Sequence, residues 1–156
     1  EPRELARHMA VIRGLQERTG GITEFVPLSF IPFNTLLGRT HGIEEISIQE
    51  NLKHTAAFRL ALGRSVPNLQ ASWVKMGLEG ATEALRWGVN DLGGTLMDEN
   101  ISRAAGASHG QELDDTEMRS IVEPLGRPLV QRTTLYGRTT TSGRRLRPVI
   151  HIGGSE

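Results

Sequence analysis

The segment at residues 68–74, with the sequence NLQASWV, alternates polar and apolar side chains. Successive side chains of a β-strand point to opposite faces, so Asn68, Gln70 and Ser72 would share one face and apolar residues the other. The alternation predicts a strand whose apolar face packs on the core. Its second face carries amide and hydroxyl groups, where a barrel strand packed only for stability would carry branched apolar residues.

Helical patterns flank this strand on both sides. Residues 45–62 repeat apolar side chains every four positions and end at Gly63, and residues 79–87 form a shorter helix with a face of small residues. Further helices are predicted over 2–18 and from Asp114, further strands over 22–31, 89–97 and 129–135, and loops over 32–42 and 98–110. Alternating helices and strands predict right-handed βαβ units, and therefore an α/β fold with parallel strands.

Charge and hydropathy exclude several classes of protein. The 156 residues include 18 Lys and Arg against 18 Asp and Glu, which excludes a broadly basic surface for nucleic acid or anionic lipid. No apolar run reaches the ~20 residues that span a bilayer. We therefore expect a cytoplasmic protein with no nucleic-acid or membrane partner. The first residues, EPRE, contain no initiator methionine and no signal peptide, so we expect them to lie inside a longer protein.

Metal and thiol chemistry is also restricted. The chain has no cysteine, which excludes disulfides, thiolate metal sites, iron–sulfur ligation and a cysteine nucleophile for this polypeptide. The histidines show neither His-x-His nor i,i+4 helix spacing. We therefore predict no metal site built from this chain alone.

Polar side chains follow the predicted strands at their carboxyl ends, where parallel sheets bind ligands. Ser29 follows the first strand, and Lys75 follows the second. The loop after the third strand contains the candidate residues Thr95, Glu99, Asn100, Arg103 and His109. Convergence of these groups would form a site for a polar small molecule.

Three features near these loops have alternative explanations. Gln70 and Ser72 need hydrogen-bond partners, since an unpaired buried polar group costs about 1–3 kcal/mol, and either a ligand or ordered water would supply them. Gly93 and Gly94 allow close approach of the backbone to a ligand, or they form a bulge. His109 lies in a candidate site loop, where it would act as a general acid or base or be solvated.

Longer motifs give the chain a family resemblance. The stretches at residues 19–28 (TGGITEFVPL), 67–75 (PNLQASWVK), 90–107 (NDLGGTLMDENISRAAGA) and 131–136 (QRTTLY) are similar to the FO synthase family. FO synthases are radical S-adenosylmethionine enzymes that make the deazaflavin chromophore. The similarity extends over residues 1–137, and residues 138–156, rich in Arg, Gly and Ser, are predicted to be a polar tail.

The resemblance implies that residues 1–137 are the C-terminal half of a radical SAM (β/α) barrel. It also implies a reaction in which a 4Fe-4S cluster and S-adenosylmethionine generate a deoxyadenosyl radical. That radical takes a hydrogen from tyrosine, whose side chain is then joined to a ribityl-aminouracil. By motif match, the residues that would bind these substrates are Gln70, Ser72, Thr95, Glu99, Asn100 and Arg103, with Arg103 the natural carboxylate partner.

The chain departs from the family in one respect. The family binds its cluster through a Cys-x-x-x-Cys-x-x-Cys loop in the first half of the barrel, and this chain has no cysteine. We therefore expect the chain to be inactive alone and to need the N-terminal half of the barrel as its partner. Two alternatives remain open: a fragment of an aminofutalosine-type radical enzyme of the menaquinone pathway, and a non-catalytic α/β binding module.

Overall fold

A computed structural model describes residues 1–94, 104–106, 113–139 and, for the backbone, 149–152. Its helices are α1 (Pro2–Thr19), α2 (Leu36–His41), α3 (Ile48–Leu62), α4 (Trp73–Arg86) and α5 (Asp115–Val122), the last followed by a 3-10 turn at Glu123–Leu125. Its strands are β1 (Asp91–Gly94), β2 (Leu129–Arg132) and β3 (Val149–Ile152). No helix within these ranges is both long and apolar enough to cross a membrane.

The long helices begin and end where their capping residues predict. Helix α1 ends at Gly20, which adopts a left-handed φ of 62°. Helix α3 begins after Ser47, whose hydroxyl accepts a hydrogen bond from the Glu50 amide, so it starts three residues later than predicted. Asp114 caps α5 in a reciprocal capping box with Glu117, as the sequence predicts.

Parallel contacts join three segments of the chain in the predicted order. Phe25 pairs with Leu69, and Gln70 pairs with Asp91, both as parallel bridges. The bonds are well formed, with the Gln70 amide 3.0 Å from the Phe25 carbonyl and the Ala71 amide 2.9 Å from the Asp91 carbonyl. These pairs place the polar face of residues 68–72 beside the start of β1.

The named strands correct the predicted sheet. The mixture of helices and strands is confirmed, but β3 lies between β1 and β2 and pairs antiparallel with both, so this sheet is not parallel. The described residues form no barrel. Parallel pairing stays short for two reasons. Pro27, two residues after Phe25, has no amide hydrogen to continue the pairing, and α4 begins at Trp73.

Several predicted boundaries also change. The predicted strands over 22–31 and 68–74 reduce to the bridges at Phe25, Leu69 and Gln70, and the predicted loop over 32–42 contains α2. Helix α4 begins before the predicted residue 79, with a break at Gly77, where φ is 69°. Strand β2 ends at Arg132, and β3 lies within the segment predicted to be a polar tail.

The core lies between the helices and the apolar face of the 68–74 segment. Leu69, Ala71 and Trp73 are buried, which confirms the predicted alternation. The other buried apolar side chains of this cluster include Met9, Leu52, Phe58, Leu62, Ala81, Ala84, Leu85, Leu92, Met118 and Val122. Burial of this apolar surface is the main stabilising contribution to the fold.

Two partly buried arginines fix the connection into β1. Arg59 donates from Nε to the Gly88 carbonyl at 2.7 Å and from Nη2 to Asn90 Oδ1 at 2.9 Å. Arg127 donates to the carbonyls of Leu85 and Val89, each at 3.0 Å. Desolvation lowers the pKa of both guanidinium groups. These bonds hold the turn between α4 and β1, and so fix where Asp91 begins its strand.

Candidate functional site

Gln70 and Ser72 lie half-buried on the polar face, opposite the buried apolar face. Within the described ranges, neither the Gln70 carboxamide nor the Ser72 hydroxyl has a hydrogen-bond partner, and Ser72 makes no side-chain cap for α4. Half-buried amide and hydroxyl groups without protein partners are what a polar ligand would bind.

The bulge at Gly93 and Gly94, at the end of β1, lies directly against Gln70, and we call it the Gly93–Gly94 turn. Gly93 has a φ of 74°, and the pairing of β1 with β3 shifts register between Asp91 and Gly93, so the bulge predicted as one alternative is present. A Cβ atom on Gly93 would lie 2.6 Å from Gln70 Nε2. The positive φ favours the glycine, and a side chain at this position would displace the Gln70 carboxamide.

Hydrogen bonds from two side chains fix this turn. Asp91 Oδ1 accepts a bond from the Gly93 amide at 2.7 Å. Trp73 donates from its indole nitrogen to the Gly94 carbonyl at 3.2 Å. The turn that precedes the predicted binding loop is thus held by β1 itself and by the first residue of α4.

A cluster of charged side chains lies behind Asp91. Arg132 donates from Nε to Asp91 Oδ2 at 2.6 Å, and its Nη2 lies 3.2 Å from Glu24 Oε2. The Tyr136 hydroxyl contacts Asp91 Oδ2 at 2.5 Å and Glu24 Oε2 at 2.7 Å. Asp91 and Arg132 are buried, and the Arg132 guanidinium stacks 3.9 Å above the Tyr136 ring.

This environment keeps the Tyr136 phenol protonated. Burial, followed by the bonds to Asp91 and Glu24, raises the pKa of Tyr136 above its usual range, while the positive charge of Arg132 opposes that shift. We call these four residues, Glu24, Asp91, Arg132 and Tyr136, the Asp91 cluster.

Sequence reasoning missed the Asp91 cluster. In the sequence, Asp91 is one residue of the motif at 90–107, and Arg132 and Tyr136 lie in the QRTTLY motif at 131–136, and both motifs carry only the family resemblance. Glu24 is 108 residues from Arg132 along the chain. The periodicity of apolar residues indicates which side chains share a face of one helix or strand. It therefore contains no signal for a contact between residues this far apart in the sequence.

The remaining predicted site residues, Thr95, Glu99, Asn100, Arg103 and His109, lie outside the described residues. Ser29 and Lys75, predicted at the ends of the first two strands, line one open cavity of about 970 Å³ between α3 and α4. The structure thus brings together polar residues that follow two different strands. In the described part of the chain, no three His, Cys, Asp or Glu side chains are grouped to hold a metal ion.

Comparison with known proteins gives a match over most of the chain. The family model described as CofH/MqnC C-terminal region matches residues 19–141. That range includes Gln70, Ser72 and every residue of the Asp91 cluster.

Individual relatives agree with this match. The chain is 49% identical over 136 residues to a 5-amino-6-(D-ribitylamino)uracil–L-tyrosine 4-hydroxyphenyl transferase of Methanopyrus kandleri, covering 86% of this chain and 37% of the relative. It is 44% identical over 152 residues to a transferase of the same name from Methanosarcina acetivorans, covering 96% and 40%. It is 47% identical over 139 residues to the FO synthase of Streptomyces coelicolor, covering 88% and 16%. The chain therefore spans well under half the length of these curated relatives.

Proposed function

The chain belongs to the CofH/MqnC C-terminal region family, and on this basis we propose that it is the substrate-binding C-terminal half of an FO synthase. The complete enzyme would join a fragment of tyrosine to ribityl-aminouracil. The names of the similar transferases support this choice of substrates. Residues 1–137 would form the second half of a (β/α) barrel, and β3, within residues 138–156, would pair with its strands β1 and β2 rather than belong to a separate tail.

The observation that carries the proposal is the polar face at Gln70 and Ser72, whose side chains have no hydrogen-bond partner among the residues that the structure describes. Leaving two half-buried polar side chains without partners costs free energy, which a bound ligand recovers by supplying donors and acceptors. A carboxamide both donates and accepts, so Gln70 suits the amide and carbonyl edge of a uracil or the hydroxyls of a ribityl chain. Ser72 would add a second hydrogen bond to the same ligand.

The loop after Gly94 would complete the site. We assign Thr95, Glu99, Asn100, Arg103 and His109 to substrate binding, with Arg103 pairing with the tyrosine carboxylate. The support for this assignment is their position in a matched motif, directly after a turn that two side-chain hydrogen bonds fix. Their role would be to hold the reacting groups together and to exclude water.

The radical chemistry would depend on groups that this chain cannot hold by itself. A 4Fe-4S cluster is bound by cysteine thiolates, and the chain contains no cysteine, so its residues do not fit the cluster. S-adenosylmethionine and the cluster would be bound by residues outside this sequence. The contribution we propose for the chain is substrate binding alone.

The partner of this half would be the N-terminal half of the barrel. Phe25 pairs with Leu69 on one side only in the described part of the chain. Large apolar side chains between residues 28 and 43 are exposed, namely Leu28, Phe30, Phe33, Leu36, Leu37 and Ile43. We call this set the 28–43 surface, and we propose that the N-terminal half covers it.

Activity of the complete protein tests the proposal. With reductant and S-adenosylmethionine supplied, the protein that contains this sequence should consume tyrosine and form a product from ribityl-aminouracil. Replacing Gln70 by Leu should raise the KM for one of these substrates about tenfold, since a lost hydrogen bond to a polar substrate costs 1–3 kcal/mol. The matched control is Gln49→Leu, the same change at an exposed residue of α3.

The outcomes separate the alternatives. A protein that folds and binds its cluster but leaves tyrosine unconsumed would rule out an FO synthase. Turnover of a futalosine-type substrate instead would identify the menaquinone-pathway enzyme, and the absence of any turnover would favour a binding module. Equal KM values for the Gln70 and Gln49 variants would remove Gln70 from the substrate site.

A further inference from the structure

We propose that Asp91 is a positioning residue of the substrate site, whose two carboxylate oxygens connect the segment containing Arg132 and Tyr136 to the Gly93–Gly94 turn. The inference rests on the proposed function, because it takes Gln70 as a substrate-binding residue. Asp91 itself is buried and would not touch the substrate.

The first oxygen of Asp91 acts on the turn. Oδ1 accepts the Gly93 amide at 2.7 Å and so closes the bulge in β1. Gly93 in turn lies so close to Gln70 that a single added carbon would come within 2.6 Å of the amide nitrogen. A shift of the Gly93 backbone would therefore change the position that the Gln70 carboxamide can occupy.

The second oxygen is bound by Arg132 and Tyr136, which come later in the chain. Oδ2 accepts from Arg132 Nε at 2.6 Å and contacts the Tyr136 hydroxyl at 2.5 Å. Arg132 is at the end of β2, and Tyr136 lies in the turn that follows, in which the Thr133 amide bonds to the Gly137 carbonyl at 2.8 Å. The carboxylate orientation is thus set by residues about forty positions beyond the turn that it supports.

Glu24 provides a matched control within the same cluster. It contacts Arg132 and Tyr136, as Asp91 does, and in the described part of the chain it makes no contact with Gly93. Acid-to-amide substitutions at the two positions therefore make the same chemical change. Only the change at Asp91 would affect the turn.

The test compares Asp91→Asn with Glu24→Gln in the complete protein. An asparagine has the size of aspartate but only one acceptor oxygen, which would turn to the charged Arg132 guanidinium and leave the Gly93 amide without an acceptor. We expect Asp91→Asn to raise the KM for tyrosine or for ribityl-aminouracil about tenfold with a smaller change in kcat, because the defect lies in substrate placement. We expect Glu24→Gln to change KM less than about twofold.

Amide hydrogen exchange at Gly93 gives a second measurement that needs no turnover. We expect faster exchange in Asp91→Asn than in the wild type or Glu24→Gln, since the amide loses its acceptor. If Asp91→Asn does not fold, Tyr136→Phe replaces it, because that change removes one hydroxyl and leaves the Asp91–Arg132 pair. Faster Gly93 exchange in Tyr136→Phe would then support the inference, and an unchanged rate would overturn it.

The failures of the two proposals are distinct. A wild-type protein without tyrosine turnover contradicts the proposed function. An active wild type in which Asp91→Asn leaves KM unchanged, or alters it no more than Glu24→Gln does, overturns the positioning role of Asp91.

Discussion

Tyr136 combines an unfavourable backbone with a well-bonded side chain. Its φ of 62° lies in the left-handed region, which costs an L-residue with a Cβ roughly 1–2 kcal/mol. Its hydroxyl contacts Asp91 and Glu24, and its ring lies under the Arg132 guanidinium. Hydrogen bonds to charged groups contribute about 1.5–3 kcal/mol each, which is enough to offset the backbone cost.

Alkaline titration tests this arrangement, because Tyr136 is the single tyrosine of the chain. Its folded pKa is raised above the usual value of 10.0, whereas in the unfolded chain it ionises near that value. The group therefore stabilises the fold fully below pH 10, and its contribution is lost as the pH rises further. We expect tyrosinate absorbance to appear above pH 10 only together with the loss of circular dichroism.

The control for this titration is Tyr136→Phe, in which the stability lost specifically above the tyrosine pKa should disappear. Tyrosinate absorbance near pH 10 with native circular dichroism would contradict the buried, hydrogen-bonded phenol.

At the scale of the element, the long helices were predicted more accurately than the strands. Strands β1 and β2 lie inside the strands predicted over 89–97 and 129–135, whereas α2 lies in a predicted loop. Helices α1 and α5 are predicted by local signals. Helix α1 has an apolar repeat and ends at Gly20, and α5 begins at the Asp114 cap. Parallel pairing depends instead on partners far along the chain and amounts to single bridges, so the predicted strands were too long. Strand β3 has the sequence VIHI, whose three β-branched residues favour a strand, but its antiparallel pairing with β1 and β2 has no signal in the local sequence.

Part of the candidate site could be predicted from the sequence, and part could not. The polar face with Gln70 and Ser72 was readable because alternation is a local property of one segment. The Asp91 cluster was not, because Asp91 and Arg132 are 41 residues apart and nothing in either local pattern specifies the other. The sequence leaves two alternatives for Gly93, and the structure shows a bulge whose φ of 74° favours a glycine, with the Gln70 carboxamide packed against it.

Two helix glycines should respond in opposite ways to the same substitution. A Cβ on Gly14 in α1 would meet only Arg18 Nη1 at 3.7 Å, so Gly14→Ala should raise the free energy of unfolding by about 0.5–1 kcal/mol. A Cβ on Gly80 in α4 would lie 2.7 Å from Ile48 Cδ1 and 3.0 Å from Met76 Cβ. Gly80→Ala should therefore lower the free energy of unfolding by about 1–3 kcal/mol.

Urea denaturation of the two alanine variants beside the wild type measures both effects. Each variant serves as the control of the other, because the atoms added are identical. A change of the same sign in both would show that α4 does not pack against Ile48 as the structure has it.

At the scale of the whole molecule, six of the large apolar side chains that the structure describes as exposed lie on one segment. On the 28–43 surface, Leu36 is 73% and Leu28 is 64% exposed. Contiguous apolar patches on soluble proteins are usually covered by a partner.

We therefore expect the isolated 156-residue chain to associate in solution. Sedimentation over a range of concentrations should show the sedimentation coefficient rising with concentration. The double variant Leu28→Ser, Leu36→Ser should weaken this association, while Leu60→Ser, at an 84% exposed residue of α3 outside the 28–43 surface, should not. A sharp monomeric melting transition independent of concentration would contradict the expectation.

The large sequence separation between residues of the Asp91 cluster also has a consequence for co-translational folding. Glu24 and Tyr136 are 112 residues apart, so at about 5–20 residues per second the ribosome adds the second roughly 6–22 s after the first. Until Arg132 has left the exit tunnel, the nascent chain contains the carboxylates of Glu24 and Asp91 without the guanidinium that neutralises them. Neutralisation of the buried Asp91 carboxylate by Arg132 therefore follows the emergence of Arg132, and a chain released before Arg132 cannot complete it.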